Sequence, residues 1–172
     1  QGIGACIAKR LAKDGFDVVI NYYPSESSKE NALAVAAECE AFGVKTLCIG
    51  ADVSKFDQCE AMVKQVKAEF GTIDALVNNA GISQSIPLEN YTDEDLDRII
   101  DLNIRAVFVC CKAAAAYMKE AGGGCIINTS SVVSFYGQGL DCMYPASKSA
   151  VNGLIRSLSR ELGAHGIRGN AG

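Results

Sequence analysis

A tyrosine and a lysine stand four residues apart in Tyr144-Pro-Ala-Ser-Lys148, a spacing that puts both on one face of a helix. An ammonium beside a phenol favours the phenolate and draws its pKa toward working pH, as general acid–base chemistry requires. Pro145 suits a first helical turn, where its missing N–H is harmless, and sets Tyr144 at the helix mouth rather than inside it. Taken alone the pattern is short, and it also describes an ordinary exposed pair. Ser131 follows the strand-like run Cys125 to Thr129, where its hydroxyl could bond a substrate oxygen beside Tyr144. Ser130 and Ser134 lie so near that spacing leaves all three serines open. Asn103, set among Ile104, Val107 and Phe108, reads by itself as a surface or helix-bending residue.

Three further segments could hold a ligand. Gly2-Ile-Gly4 opens an amphipathic helix, and a helix N-terminus fed by glycines offers unpaired N–H groups and a positive dipole to phosphates. A Gly-x-Gly before a helix is also a common turn. Asn78-Asn-Ala-Gly81 lies at the carboxyl end of an expected parallel strand, where open α/β sheets bind ligands; an Asx turn is the plainer reading. Asp52, just past another strand, either accepts from an adenine amino group or caps the next helix.

Helices and strands alternate to position these residues. Helical spacing runs over residues 3–14, 27–42, 55–70, from Thr92 to about Lys119, and from about Pro145 to Leu162. Strand-like runs lie at 16–21, 44–49, 73–78 and 125–129, with another starting at Ile167. Thr92 with Asp95 forms a capping box, and the long helix that it opens is expected to bend. The loop of about a dozen residues after Thr129 is long enough to suggest function. This alternation predicts βαβ units in one doubly wound parallel sheet with helices on both faces. Residues 1–172 are expected to form a single domain truncated at both ends, lacking a first strand and a C-terminal part.

Composition narrows the function. A net charge of −4 without a basic patch argues against nucleic acid, and no apolar run reaches membrane length. The eight cysteines are scattered through apolar segments with no CxxC pair or zinc spacing, so no metal site is expected and thiols in a reducing cytoplasm are expected over disulfides. The one histidine, His165, lies in a helix-ending Gly-Ala-His-Gly and reads as a capping or surface residue, which speaks against a Ser-His-Asp hydrolase.

In combination these motifs resemble the short-chain dehydrogenases/reductases over essentially the whole chain. Gln1-Gly-Ile-Gly4 is similar to the tail of that family's TGxxxGxG loop, Asn78-Asn-Ala-Gly81 to its NNAG motif, and Ser131, Tyr144 and Lys148 to its Ser-x12-Tyr-x3-Lys site. The resemblance selects Ser131 among the serines and places Asn103 at the family's catalytic asparagine. It implies a Rossmann-type fold and an oxidoreductase moving hydride between a nicotinamide cofactor and a carbonyl or alcohol. Tyr144 would then be the proton donor, Lys148 would hold the ribose hydroxyls, Ser131 would orient the substrate oxygen, and Asn103 would position a water. The implied cofactor contacts are Gly2, Ile3, Gly4, Asn21, Tyr22, Asp52, Val53, Asn79, Ala80, Gly81, Tyr144 and Lys148.

The second strand ends at Asn21-Tyr-Tyr-Pro24, with no acid until Glu26, which favours NADP(H) over NAD(H) because an acid there would bind the 2′-hydroxyl and repel a 2′-phosphate. Ser131 to Gly137 and the Asn21-Tyr22 strand end look most like bacterial 3-oxoacyl-(acyl-carrier-protein) reductases of fatty acid biosynthesis, implying a small-molecule or carrier-bound carbonyl substrate and a cytoplasmic homotetramer. A hydroxysteroid or small-polyol or sugar dehydrogenase of the same family is the alternative, and a non-catalytic dinucleotide-binding regulator another. One departure stands out: Arg168-Gly169-Asn170 has glycine where an apolar strand residue is usual, and glycine weakens a strand.

Overall fold

The computed structural model describes residues 2–172, so Gln1 of the opening tetrapeptide lies outside it. Two compact units are present, residues 1–53 and 54–172.

In the first unit α1 (Gly2–Lys13) leads to β1 (Val18–Tyr22), then α2 (Glu26–Glu40) and β2 (Thr46–Gly50). The strands pair in parallel, Val18 against Thr46 through Tyr22 against Gly50. Ala12, Val18, Val35 and Cys39 are buried together, and Ala8, Leu11 and Ile20 pack on them, so the helical and strand periodicities meet in one core. Ser25 caps α2 by accepting from the Ser28 N–H at 3.3 Å.

The second unit is α3 (Phe56–Phe70), β3 (Ala75–Asn78), α4 (Asp93–Ile100), α5 (Ala106–Ala121), β4 (Gly124–Asn128), α6 (Val133–Tyr136), α7 (Met143–Leu162) and β5 (Ile167–Ala171). Its sheet is parallel in the order β3-β4-β5, with Asn78 level with Asn128 and Asn128 level with Ala171. Asn78 and Asn128 thus end their strands side by side, and everything after them emerges at the same carboxyl edge. Ile99, Met118, Ile126, Val151 and Ile167 form the buried centre.

The capping box at Thr92 forms: its hydroxyl accepts from the Asp95 N–H, and the Asp95 carboxylate accepts from the Thr92 N–H. The expected bend takes a specific form. Between α4 and α5 the chain makes a π-helical turn, Asp101–Arg105, with Asn103 at its centre. Such wide turns insert one residue and often mark functional positions.

Two expectations need correction. Helix α7 begins at Met143, so Tyr144 lies within the first turn and not ahead of it. The first three N–H groups of a helix lack intrahelical acceptors, so Pro145 is tolerated as the third residue as well as the first. Strand β5 is also complete through Gly169, because that glycine is a packing requirement. A Cβ there would lie 2.7 Å from both Ile155 Cδ1 and Ser159 Oγ of α7. Bare backbone lets the helix close on the strand. Among the described residues no helix is long and apolar enough to cross a membrane. All eight cysteines are thiols, and His165 is exposed in a short 3-10 turn after α7.

Candidate active site

The carboxyl edge of the second unit's sheet gathers most of the chemistry-bearing residues. Asn79–Gly81 leave β3 and Thr129–Ser131 leave β4, and the Thr129 hydroxyl donates to Asn79 Oδ1 at 3.3 Å. Lys148 reaches the same edge from α7 and donates to the Thr129 carbonyl at 2.7 Å. Its Nζ lies 5.6 Å from the centre of the Tyr144 ring, one helical turn back. Lys148 is only 5% exposed, and burial lowers its pKa from the ordinary 10.5, because desolvation disfavours the ammonium.

Asn103 is 1% exposed and neither a surface residue nor an idle one. The π turn swings it inward, where Oδ1 accepts from the Ile82 N–H and Nδ2 donates to the Ile82 carbonyl, both at 2.8 Å. Nδ2 also donates to Ser147 Oγ at 3.0 Å. Gly81 completes this corner. A Cβ on it would sit 3.2 Å from Asn103 Oδ1 and 3.5 Å from Lys148 Nζ. A larger residue would fill the approach to both.

The three serines that spacing left open differ in their bonds. Ser130 donates to Asn152 Oδ1 at 2.7 Å, and Ser134 Oγ accepts from Asn152 Nδ2 at 2.9 Å. Ser131 Oγ only accepts a long 3.4 Å contact from the Val133 N–H, which leaves its own O–H to donate elsewhere. Through Asn152 and the bond from Ser149 to the Ser134 carbonyl, α7 pins the segment that carries Ser131.

The remaining expected contacts belong to the first unit. Gly2 and Gly4 open α1, Ile3 with them, and Gly2 has φ +63°, a conformation that suits glycine. Asn21 donates to the carbonyls of Ile49 at 3.2 Å and Ala51 at 3.0 Å, so its amide ties β1 to the end of β2. Tyr22 lies over Gly50, where a Cβ would be 3.1 Å from its ring. Asp52 and Val53 follow β2 at the carboxyl end of its strand pair.

Two residues that the motifs did not flag connect to the site. Ser147 donates to the Tyr144 carbonyl at 2.7 Å, and Asp141 Oδ1 accepts from the Tyr144 N–H at 3.2 Å. Their signals were local: a serine three residues after Tyr144 can bond back to its carbonyl, and an aspartate three before it can cap it. Tyr91 has its phenol pushed up, first by burial and then by the Asp141 carboxylate.

A parallel α/β sheet with a tyrosine, a buried lysine and a glycine-lined approach at its carboxyl edge has the layout at which open sheets bind dinucleotides. The short chain dehydrogenase family matches residues 1–171. A 3alpha-hydroxysteroid dehydrogenase of Mediterraneibacter gnavus is 62% identical, covering 99% of this chain and 68% of its own. A 3-oxoacyl-(acyl-carrier-protein) reductase of Staphylococcus aureus is 42% identical with the same coverage. Among solved structures, a metagenomic short-chain oxidoreductase in complex with NADP superposes with TM-score 0.93 at 34% identity, covering 99% of this chain and 76% of that one. The chain therefore belongs to the short-chain dehydrogenases/reductases, Rossmann-fold oxidoreductases acting between CH–OH and C=O, and spans about two thirds of the two curated relatives' length.

Proposed function

We propose that this chain carries the acid–base centre of an NADP(H)-dependent reductase that converts a ketone to a secondary alcohol. The observation that carries the reading is the Lys148 ammonium, buried one turn from the Tyr144 ring. In the reduction Tyr144 gives its proton to the carbonyl oxygen. The ammonium stabilises the charge left on the phenol oxygen, and its own burial strengthens that effect. Ser131 donates to the substrate oxygen and holds it in line, while Asn103 keeps the Ile82 segment in place and positions a water for proton return.

The donor set fits a nicotinamide nucleotide. Lys148 has N–H groups beyond the one on Thr129, and Gly81 leaves open the space that a Cβ would fill. Lys148 and Tyr144 would hold the nicotinamide ribose, and Asn79, Ala80 and Gly81 the adenosine ribose. Gly2, Ile3 and Gly4 would meet phosphate, Asn21 and Tyr22 the 2′-phosphate, and Asp52 and Val53 the adenine. When bound, the cofactor supplies the hydride. The absence of a carboxylate at the end of β1 supports NADP(H), as does the NADP complex of the metagenomic relative. A tenfold higher kcat/KM with NADH than with NADPH would overturn that preference.

For the substrate, the 62% relative weighs the hydroxysteroid alternative above the carrier-bound 3-oxoacyl chain that the loop sequence favoured. The apolar side chains of Val132, Phe135, Tyr136 and Leu140, exposed just before Tyr144, suit either apolar substrate. Assay of the full-length enzyme with NADPH against a 3-oxosteroid and a 3-oxoacyl thioester separates them. Turnover of neither, or full turnover by Tyr144→Phe, refutes the reading. We retain the cytoplasmic homotetramer as the expected assembly, to be checked by light scattering.

A further inference from the structure

The backbone N–H and carbonyl of Tyr144 are held by different side chains that lead back to one segment. Its carbonyl accepts from Ser147, Ser147 accepts from Asn103, and Asn103 bonds both backbone groups of Ile82. Its N–H donates to Asp141 Oδ1. The other oxygen, Oδ2, accepts from the Ser83 hydroxyl at 2.7 Å and the Gln84 N–H at 3.1 Å. Residues 82–84 directly follow Gly81, so two struts run from the end of the glycine corner to the backbone of the same tyrosine.

Asp141 is 1% exposed, a poor place for a carboxylate unless donors surround it. Three do. The residue before it, Leu140, has φ +60°, a left-handed backbone that strains a branched side chain. Leu140 itself is 68% exposed and has no pocket to repay that strain. What the turn achieves is to deliver Asp141 inward, and such strain persists where the surrounding bonds impose it.

We propose that Asp141 is a positioning residue for the reaction. Its carboxylate locks the first turn of α7 to segment 82–84 and thereby fixes where the Tyr144 phenol meets the substrate oxygen. This rests on the acid–base role of Tyr144. The chemistry demands a carboxylate: every group that Asp141 meets is a donor, and both its oxygens accept. An asparagine would turn an NH2 group against either the Tyr144 N–H or the Ser83–Gln84 pair.

The test compares wild type, Asp141→Asn, Ser83→Ala and Tyr144→Phe in the full-length enzyme with NADPH and a 3-oxosteroid. It reads kcat, KM, NADPH affinity by cofactor fluorescence, and thermal unfolding. Asp141→Asn is expected to lower kcat by about tenfold or more, since small misplacements of a reacting group are costly, while NADPH affinity stays unchanged. Ser83→Ala, which removes one donor, is expected to lower kcat by about threefold. A folded Asp141→Asn variant with wild-type kcat overturns the proposal, as does a loss that merely follows the unfolded fraction. If Asp141→Asn does not fold, Ser83→Ala decides, and an unchanged kcat there overturns the proposal. Full activity in Tyr144→Phe brings down the site reading and this proposal together. An inactive Tyr144→Phe beside a fully active Asp141→Asn removes only the proposal.

Discussion

Lys148 holds its ammonium 5.6 Å from the centre of the Tyr144 ring while donating to the Thr129 carbonyl at 2.7 Å. One bond therefore ties the cation of α7 to the segment leaving β4, and the one-turn spacing brings the ring of Tyr144 beside it. A charge placed so deeply costs stability, and the lowered pKa of Lys148 records that cost.

Replacing Lys148 with Met should separate activity from stability. Carbonyl reduction should fall by about a hundredfold or more, the scale for losing a preorganised charge. The pH dependence follows from the direction of the shift. The folded protein releases the Lys148 proton at a lower pH than the unfolded chain, whose lysine titrates near 10.5. Below the folded value both states are protonated and the penalty is fully present; between the two values the unfolded state binds more protons, so stability rises with pH. Urea unfolding should therefore show wild type gaining on Lys148→Met as pH climbs through that window. A difference that is flat or falls with pH would contradict the buried ammonium.

Asn103→Leu keeps the volume and removes three hydrogen bonds. Both backbone groups of Ile82 lose their partner, and a deserted polar group costs about 1–3 kcal/mol when it stays shielded from water. Stability should drop by at least about 2 kcal/mol in urea titration. Activity should fall too, even at temperatures where the variant is fully folded.

Gly169→Val tests why a glycine occupies a strand. Its side chain would collide with Ile155 and Ser159, so overpacking should destabilise the protein by about 1–3 kcal/mol despite valine's better strand propensity. A neutral or stabilising result in thermal unfolding would show that α7 does not close on β5 at this residue.

Thiol reactivity should sort by burial. Cys6 and Cys142 are exposed and should label rapidly with an aromatic disulfide reagent near pH 8. Cys111, pushed up to about 11 by burial, and Cys110, raised by its contact with Cys59 Sγ at 3.2 Å and by burial, should label only on unfolding. Cys48 and Cys125 are half-buried, so fast labelling of five or more thiols in the folded protein would contradict the core.

The alternation of elements was legible because each periodicity is local. Val18 is buried within the strand-like run 16–21, Leu11 packs on the same core from the helix over 3–14, and the Thr92–Asp95 capping box needs only residues three apart. The start of α7 was misjudged because Pro145 tolerates any of the first three helical positions, and a carboxylate at Asp141 decides between them by taking the Tyr144 N–H. Spacing alone gives Asn103 only as a surface or helix-bending residue, because its partners, Ile82 and Ser147, lie 21 and 44 residues away. Gly169 looked like a weakness because its neighbours, Ile155 and Ser159, belong to another element.

By itself, then, the sequence determined the order of helices and strands, the family, and the pairing of Tyr144 with Lys148, since all of these follow from spacing within one segment or from motifs read in order. Tertiary structure alone decided that Asn103 sits in a π turn facing Ile82, that Ser131 keeps an uncommitted O–H while Ser130 and Ser134 bond Asn152, and that Asp141 reaches Ser83 and Gln84. Periodicity acts within a few residues along the chain, whereas a hydrogen bond between distant segments exists only once the packing has brought its donor and acceptor together.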